Sequence, residues 1–160
     1  LHGLETIGLR YFNVFGRRQD PNGAYAAAIP KFIKAFTSYQ SPLIHGDGKQ
    51  SRDFTYIDNV ILANQLAATT TNKNAINKVY NVACGDQSIL KNIVLKLQEL
   101  LSQFDIKIAD VKIEYGPERL GDIKHSLASI KRGQTLLNYQ PSHNVNEGLE
   151  EAINWYWENL

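Results

Sequence analysis

The chain reads as an α/β fold in which short strands are interleaved with helices. Three observations predict it. Short runs rich in β-branched and aromatic residues recur along the sequence. Amphipathic patterns of helical period lie between them. No internal repeat or low-complexity segment breaks the alternation. Thr6 to Val14 reads as the first strand, followed by the polar loop GRRQDPNGA at 16–24, where Pro21 and Gly23 are turn makers. Ala24 to Tyr39 reads as a helix, with Ile29, Phe32, Ile33 and Phe36 on one face and Pro30 near its start. SPLIHGDG supplies a short strand and a turn, and DFTYI a second strand. Asp58 is the expected cap of a helix running to about Thr69, with Val60, Ala63, Leu66 and Ala67 inward. KVYNVACG, at 78–85, is a compact strand. Ser88 is the expected cap of a helix whose apolar stripe is Leu90, Ile93, Val94, Leu97, Leu100 and Leu101. VKIEY, at 111–115, alternates as a strand, and 126–139 reads as a short helix. Asn144 and Glu147 have capping-box spacing before a last helix with Leu149, Ile153, Tyr156 and Trp157 on one stripe.

The 160 residues, 43% hydrophobic and 21% charged, suit a single domain spanning 1–160 with a core of its own. A net charge of +1 leaves no electrostatic footprint for nucleic acid or an anionic membrane, so neither is an expected partner. No apolar run has the length of about 20 residues that a membrane span needs. One cysteine, Cys84, excludes an internal disulfide and fits a reducing compartment, which makes a cytoplasmic location the expectation. The chain contains no methionine and opens at Leu1 almost directly into the strand-like run TIGLRYFNVFG. A piece of a longer chain is the expectation.

Metal and nucleophile chemistry find little support. His2, His45, His125 and His143 are scattered, and no CxxC or HExxH spacing occurs. Asp47 and Asp53 do not match the alternate-position ligands of a calcium loop. Cys84 ends an apolar strand and reads as a small buried hydrophobe rather than a reactive thiol. No GxSxG elbow is present.

Phosphate binding has better candidates. IHGDGKQSRDF, at 44–54, offers flexible backbone N–H groups and Arg52, although it lacks the GxxxxGK[ST] of a P-loop. ERLGD, at 118–122, sets Arg119 and Asp122 three residues apart around Gly121. An arginine fork grips phosphate oxygens while a carboxylate accepts from sugar hydroxyls. These are the two tools that a nucleotide's diphosphate and ribose require. Surface or inter-loop ion pairs of Arg52–Asp53 and Arg119–Asp122 account for the same residues from spacing alone. Asn13 leaves the first strand at its carboxyl end, where open α/β sheets bind ligands. It reads equally as a turn-starting asparagine bonded to its own backbone.

LRYFNVFGRRQDP, GDGKQSRDFTYIDNV, YNVACG and ERLGD stand in the order found in extended short-chain dehydrogenase/reductases that act on nucleotide sugars. The chain resembles, over essentially its whole length, the bacterial UDP-N-acetylglucosamine 4-epimerases among them. The resemblance implies the C-terminal, substrate-binding part of an NAD-dependent epimerase/dehydratase. The N-terminal Rossmann half would be lacking, and residues 1–14 would form a strand of its sheet. The family's GxxGxxG turn and YxxxK pair are absent here, so NAD would be held mainly by the other half. The same resemblance assigns roles. Asn13 would bond the diphosphate of a UDP-sugar. Tyr11 and Phe12 would lie near the nicotinamide end of NAD. Ala27, Ala28 and Phe32 would pack a helix end against diphosphate and uridine, and Leu43, Ile44 and His45 would meet the uracil. Arg52 and Arg119 would bind phosphate, and Asp122 would accept from the ribose.

Family members restricted to non-acetylated hexoses often carry a tyrosine four residues beyond that aspartate. Ser126 stands there in this chain and implies room for an N-acetyl group, so UDP-N-acetylglucosamine and UDP-N-acetylgalactosamine are the expected substrates. Ser126 also suits the start of a helix. A nucleotide-sugar 4,6-dehydratase, a UDP-glucuronate decarboxylase and a non-catalytic ligand-binding domain remain the alternatives. The intact protein is expected to be a homodimer.

Overall fold

The computed structural model describes residues 3–20 and 28–160. The first predicted strand is two. β1 (Ile7–Tyr11) and β2 (Val14–Phe15) are separated at Asn13, whose φ of +38° is a left-handed value that asparagine tolerates better than most residues. β1 runs parallel to β6 (Lys78–Val82), from Ile7 opposite Lys78 to Tyr11 opposite Val82. β2 runs parallel to β5 (Thr55–Tyr56), and β3 (Leu43–His45) parallel to β8 (Glu114–Gly116). β4 (Ser51–Arg52) pairs antiparallel with β7 (Ser88–Ile89). The break at Asn13 thus hands the chain from one strand pair to another, and parallel pairing demands the long helical crossovers between partners.

The core follows from the apolar stripes. α1 (Ala28–Thr37), α3 (Leu90–Ser102) and α5 (Val145–Asn159) pack against one another. They bury Ile29, Ile33, Phe36, Val94, Leu97, Leu101, Leu149 and Tyr156 completely. Each fully buried side chain of that kind contributes about 1.5–3 kcal/mol. α2 (Ile57–Thr69) covers β1 and β6, with Val60 and Ala63 inward and Leu66 half-buried beside them. The Tyr156 hydroxyl donates to the Gly16 carbonyl and accepts from the Gly16 N–H, both at 2.9 Å, which fastens the end of β2 to α5. The capping box at the start of α5 forms as expected. Asn144 Oδ1 accepts from the Glu147 N–H at 3.1 Å, and the Asn144 N–H donates to Glu147 Oε2 at 2.8 Å. Among the described residues no helix is long and apolar enough to cross a membrane.

Several boundaries differ from expectation. The start of the Ala24–Tyr39 helix, including Ala27, lies outside the described residues. Asp58 does not cap α2. Because β5 leads straight into the helix, the N-cap is Tyr56, and Asp58 sits in the first turn, 3.2 Å from Arg17. A carboxylate there still complements the helix dipole. Ser88 does not cap α3 either, since its backbone pairs with Arg52. The Leu90 and Lys91 N–H groups instead donate to the Gln50 and Gly48 carbonyls, at 2.9 and 3.0 Å. Backbone of the β3–β4 turn thus satisfies donors that a side chain was expected to take. The strand expected at 111–115 is confined to β8. The helix expected over 126–139 is only α4 (Lys131–Leu137). Ser126 therefore starts no helix. Its N–H donates laterally to the Ser51 carbonyl at 3.1 Å, which ties the segment before α4 to β4.

Candidate functional site

The β3–β4 turn is built by Gly46 and Gly48, with φ of +77° and +74°, and by the Asp47 carboxylate accepting from the Lys49 N–H at 2.9 Å. It carries the chain from Leu43 and His45 to Arg52. These face a cavity of about 430 Å³ whose walls also include Asn13, Ala28, Phe32, Gln50, Arg119 and Asp122. One wall is apolar, formed by Phe32, Ala35, Pro42, Leu43, Phe54 and Leu90. Among the described residues the cationic side chains lining the cavity are Lys31, Arg52 and Arg119, against the single carboxylate of Asp122. A second, smaller cavity of about 230 Å³ adjoins it. The two share His45, Gln50, Arg119 and Asp122, and the second adds Lys49, Lys124 and His125 together with the carboxylates of Asp47 and Glu118.

Arg52 is tightly held. Its Nη2 donates to Asp122 Oδ1 at 2.6 Å, and its Nη1 donates to the Ser51 carbonyl at 2.8 Å and the Lys124 carbonyl at 3.4 Å. The two ion pairs that spacing suggested are absent among the described residues: Arg52 reaches across to Asp122, not to its neighbour Asp53. Asp53 is fully buried, and its carboxylate accepts from the backbone N–H groups of Cys84, Gly85 and Ala128 at 2.9, 3.0 and 3.3 Å. Burial holds that carboxyl above its ordinary range, although the three donors oppose the shift. The Asp53 carbonyl accepts from Asn13 Nδ2 at 2.9 Å, so Asn13 bonds the link between β4 and β5 rather than its own turn. The Gln50 amide donates to the His45 carbonyl at 2.7 Å and so braces the turn on the cavity side.

The structure therefore brings Asn13, Ala28, Phe32, Leu43, His45, Arg52, Arg119 and Asp122 to one cavity. Ile44 points the other way and is completely buried, as strand alternation requires between Leu43 and His45. Ala27 lies outside the described residues. Ser126 lines neither cavity; it stands one residue beyond His125, which bridges to Ser51. Tyr11 and Phe12 border neither cavity. The Tyr11 hydroxyl donates to Asn64 Oδ1 at 3.1 Å, and Phe12 packs with Val60, Ala63 and Val82. Sequence reasoning missed Gln50, Lys31 and the part played by Asp53. Gln50 carries no local signal, and Asp53 is explained only by backbone donors far along the chain.

Cys84 is a structural thiol. Its Sγ accepts from Asn59 Nδ2 at 3.5 Å and donates to the His143 carbonyl at 3.4 Å. Burial, with a lesser contribution from Asp53, pushes it up to about 11. Among the described residues no group of three or more His, Cys, Asp or Glu side chains is placed to hold a metal.

A model of the NAD dependent epimerase/dehydratase family matches residues 1–83. A UDP-glucuronate 4-epimerase of Thermodesulfobacterium geofontis is 32% identical, aligned over 100% of this chain and 46% of its own. A UDP-N-acetyl-alpha-D-glucosaminuronate decarboxylase of Bacillus cytotoxicus is 30% identical over 99% of this chain and 48% of its own. The solved structure of a UDP-N-acetylglucosamine 4-epimerase from Methanobrevibacter ruminantium M1, in complex with UDP-N-acetylmuramic acid, is 40% identical. It superposes with a TM-score of 0.86 over 99% of this chain and 48% of that one. The chain thus spans about half the length of the relatives it matches. The family model takes in 83 of the 160 residues and the solved relative shares the α/β fold: the chain belongs to the NAD dependent epimerase/dehydratase family.

Proposed function

We propose that this chain forms the UDP-sugar-binding side of a nucleotide-sugar 4-epimerase that interconverts UDP-N-acetylglucosamine and UDP-N-acetylgalactosamine. The observation that carries the reading is the convergence of Arg52, Arg119, Asp122 and Asn13 on one cavity with an apolar wall. Two arginines match a diphosphate, a carboxylate matches the ribose hydroxyls, and the flat apolar wall of Phe32 and Leu43 matches a base. By gripping the nucleotide, these residues orient a sugar whose reacting carbon lies elsewhere. The family resemblance, and not the lining of either cavity, gives Ser126 the role of leaving room for an acetamido group.

The described residues do not themselves fit NAD. No GxxGxxG turn occurs in the sequence, the half-exposed Tyr11 bonds Asn64 through its hydroxyl, Phe12 packs against the cluster that includes Val60 and Val82, and neither lines either of the two cavities. The dinucleotide and the proton-transfer groups belong, on this reading, to the part of the protein outside this chain, and the chain alone is expected to be inactive.

Incubating the full-length protein with NAD and UDP-N-acetylglucosamine, and separating the products chromatographically, tests the proposal. Accumulation of UDP-N-acetylgalactosamine is expected, and no interconversion would sink it. The hexuronate relatives favour a second reading, action on UDP-glucuronate, which the same assay run with that sugar separates. Ser126→Tyr should abolish turnover of the acetylated sugar and retain turnover of UDP-glucose; equal effects on both would end the gating idea.

A further inference from the structure

We infer that Asp122 is also a positioning residue: its bond to Arg52 aims the guanidinium at the diphosphate and ties the loop bearing Arg119 over the cavity. The inference rests on the UDP-sugar reading, but it gives Asp122 a task that its contact with a ribose would not perform. Three protein acceptors hold Arg52: the Ser51 and Lys124 carbonyls on Nη1 and Asp122 Oδ1 on Nη2, the last at 2.6 Å. A guanidinium has five N–H groups in one plane. With three directed at fixed acceptors the plane is set, and Nε–H and one Nη2–H remain for a ligand.

The two backbone carbonyls contact Nη1 alone, one of them only at 3.4 Å, so they hold the fork at one corner. Asp122 is the acceptor that fixes Nη2. The side chains are partly sheltered, 19% exposed for Arg52 and 38% for Asp122, so the bond persists better than a solvent-facing pair. At the other end, residues 118–123 make few attachments. The Asp122 N–H closes a turn on the Arg119 carbonyl at 3.2 Å, Gly121 takes φ of +80°, and Leu120 and Ile123 stand in solvent. No other ion pair joins this stretch to the body among the described residues. Releasing Asp122 therefore frees Arg52 and loosens Arg119 together.

Removing a carboxylate beside a phosphate also relieves repulsion. In a cavity open to solvent that gain is screened. The lost orientation of two arginines falls on contacts that need fixed geometry, and it outweighs the gain.

The test compares the full-length protein with its Asp122→Asn, Arg52→Ala and double variants, by calorimetry and ligand-observed NMR. Three probes are used: UDP, a UDP analogue lacking both ribose hydroxyls, and the uridine nucleoside lacking both. The wild type should bind UDP; if it does not, the UDP-sugar reading fails, and this inference with it. Asp122→Asn should weaken the hydroxyl-free diphosphate by about five- to tenfold where Arg52 is present, and have no effect in the Arg52→Ala background. The hydroxyl-free nucleoside should bind every variant alike. The inference is overturned, with the UDP reading intact, by any of three results: unchanged or tighter binding of the hydroxyl-free diphosphate, a loss that persists without Arg52, or a parallel loss for the nucleoside that marks collapse of the cavity.

Discussion

Replacing Asp53 by asparagine exchanges one carboxylate oxygen for an amide nitrogen and leaves the side-chain volume intact, so no cavity term enters. Oδ2 accepts from Gly85 and Ala128, and Oδ1 from Cys84. If the amide oxygen keeps the two-donor position, the new NH₂ group confronts the Cys84 N–H. One backbone donor and one amide donor are then buried unsatisfied, at about 1–3 kcal/mol each. The surviving bonds also drop from charge-assisted to neutral strength. Against this, burial already holds the carboxyl above its ordinary range, so discharging it recovers part of the loss. The balance is a destabilisation of about 2–4 kcal/mol, which in a domain of this size lowers the melting temperature by about 4–16 °C. Urea unfolding followed by the fluorescence of Trp155 and Trp157 gives the number directly, provided the slope of the transition is unchanged. A variant within about 0.5 kcal/mol of the wild type would refute the view that this carboxylate joins three segments of the fold.

Gly148→Ala should destabilise the protein by about 1–3 kcal/mol in a thermal melt, despite a helix-propensity gain of about 1 kcal/mol. The added Cβ would lie 2.7 Å from Cβ and Cγ of Tyr56, atoms that cannot swing aside; an equal or higher melting temperature would contradict this packing. Cys84, pushed up from an ordinary 9.0 to about 11, should react with iodoacetamide at pH 8 about a hundredfold more slowly than an unperturbed thiol. Because its folded value is raised, the stability it contributes is fully present below the ordinary thiol range and is lost as pH climbs through about 11. Alkylation at the rate of a free thiol would place Cys84 in solvent.

Local pattern was enough for α3, α5 and the capping box of α5, because each depends on residues within a few positions of one another. It failed at Asp58 and Ser88. Their side chains are good caps in isolation, but β5 runs directly into α2, and the turn at Gly48 and Gln50 supplies backbone acceptors to α3. It failed again at 126–130, where lateral bonds to Ser51 and to the Asp53 carboxylate oppose a helix. Arg52, Arg119, Asp122 and Asn13 were found through their chemical types and Ala28, Phe32, Leu43 and His45 through the family resemblance, whereas the pairing of the charged groups was not found. Adjacent or near-adjacent partners, Arg52 with Asp53 and Arg119 with Asp122, gave way to Arg52 with Asp122 across a separation of 70 residues. Such pairings are set by which strands lie side by side, and the local sequence carries little of that information.

The charge of the chain makes the same point about function. A net +1 gives no sign of a broad polyanion surface, yet it says nothing of how that charge is spread. Around the cavity that Arg52 lines, Lys31, Arg52 and Arg119 face one carboxylate among the described residues, an excess of two positive charges beside an apolar wall. A small ligand with about two negative charges and a flat apolar end balances that excess; a long polyanion would find no continuation of it. Asp122 keeps the balance from being larger. Without it the cavity would carry more positive charge on less fixed arginines, and with it one arginine is held in place while its charge is partly neutralised. Selectivity then rests on geometry, on which N–H groups remain free and where they point, more than on the amount of positive charge.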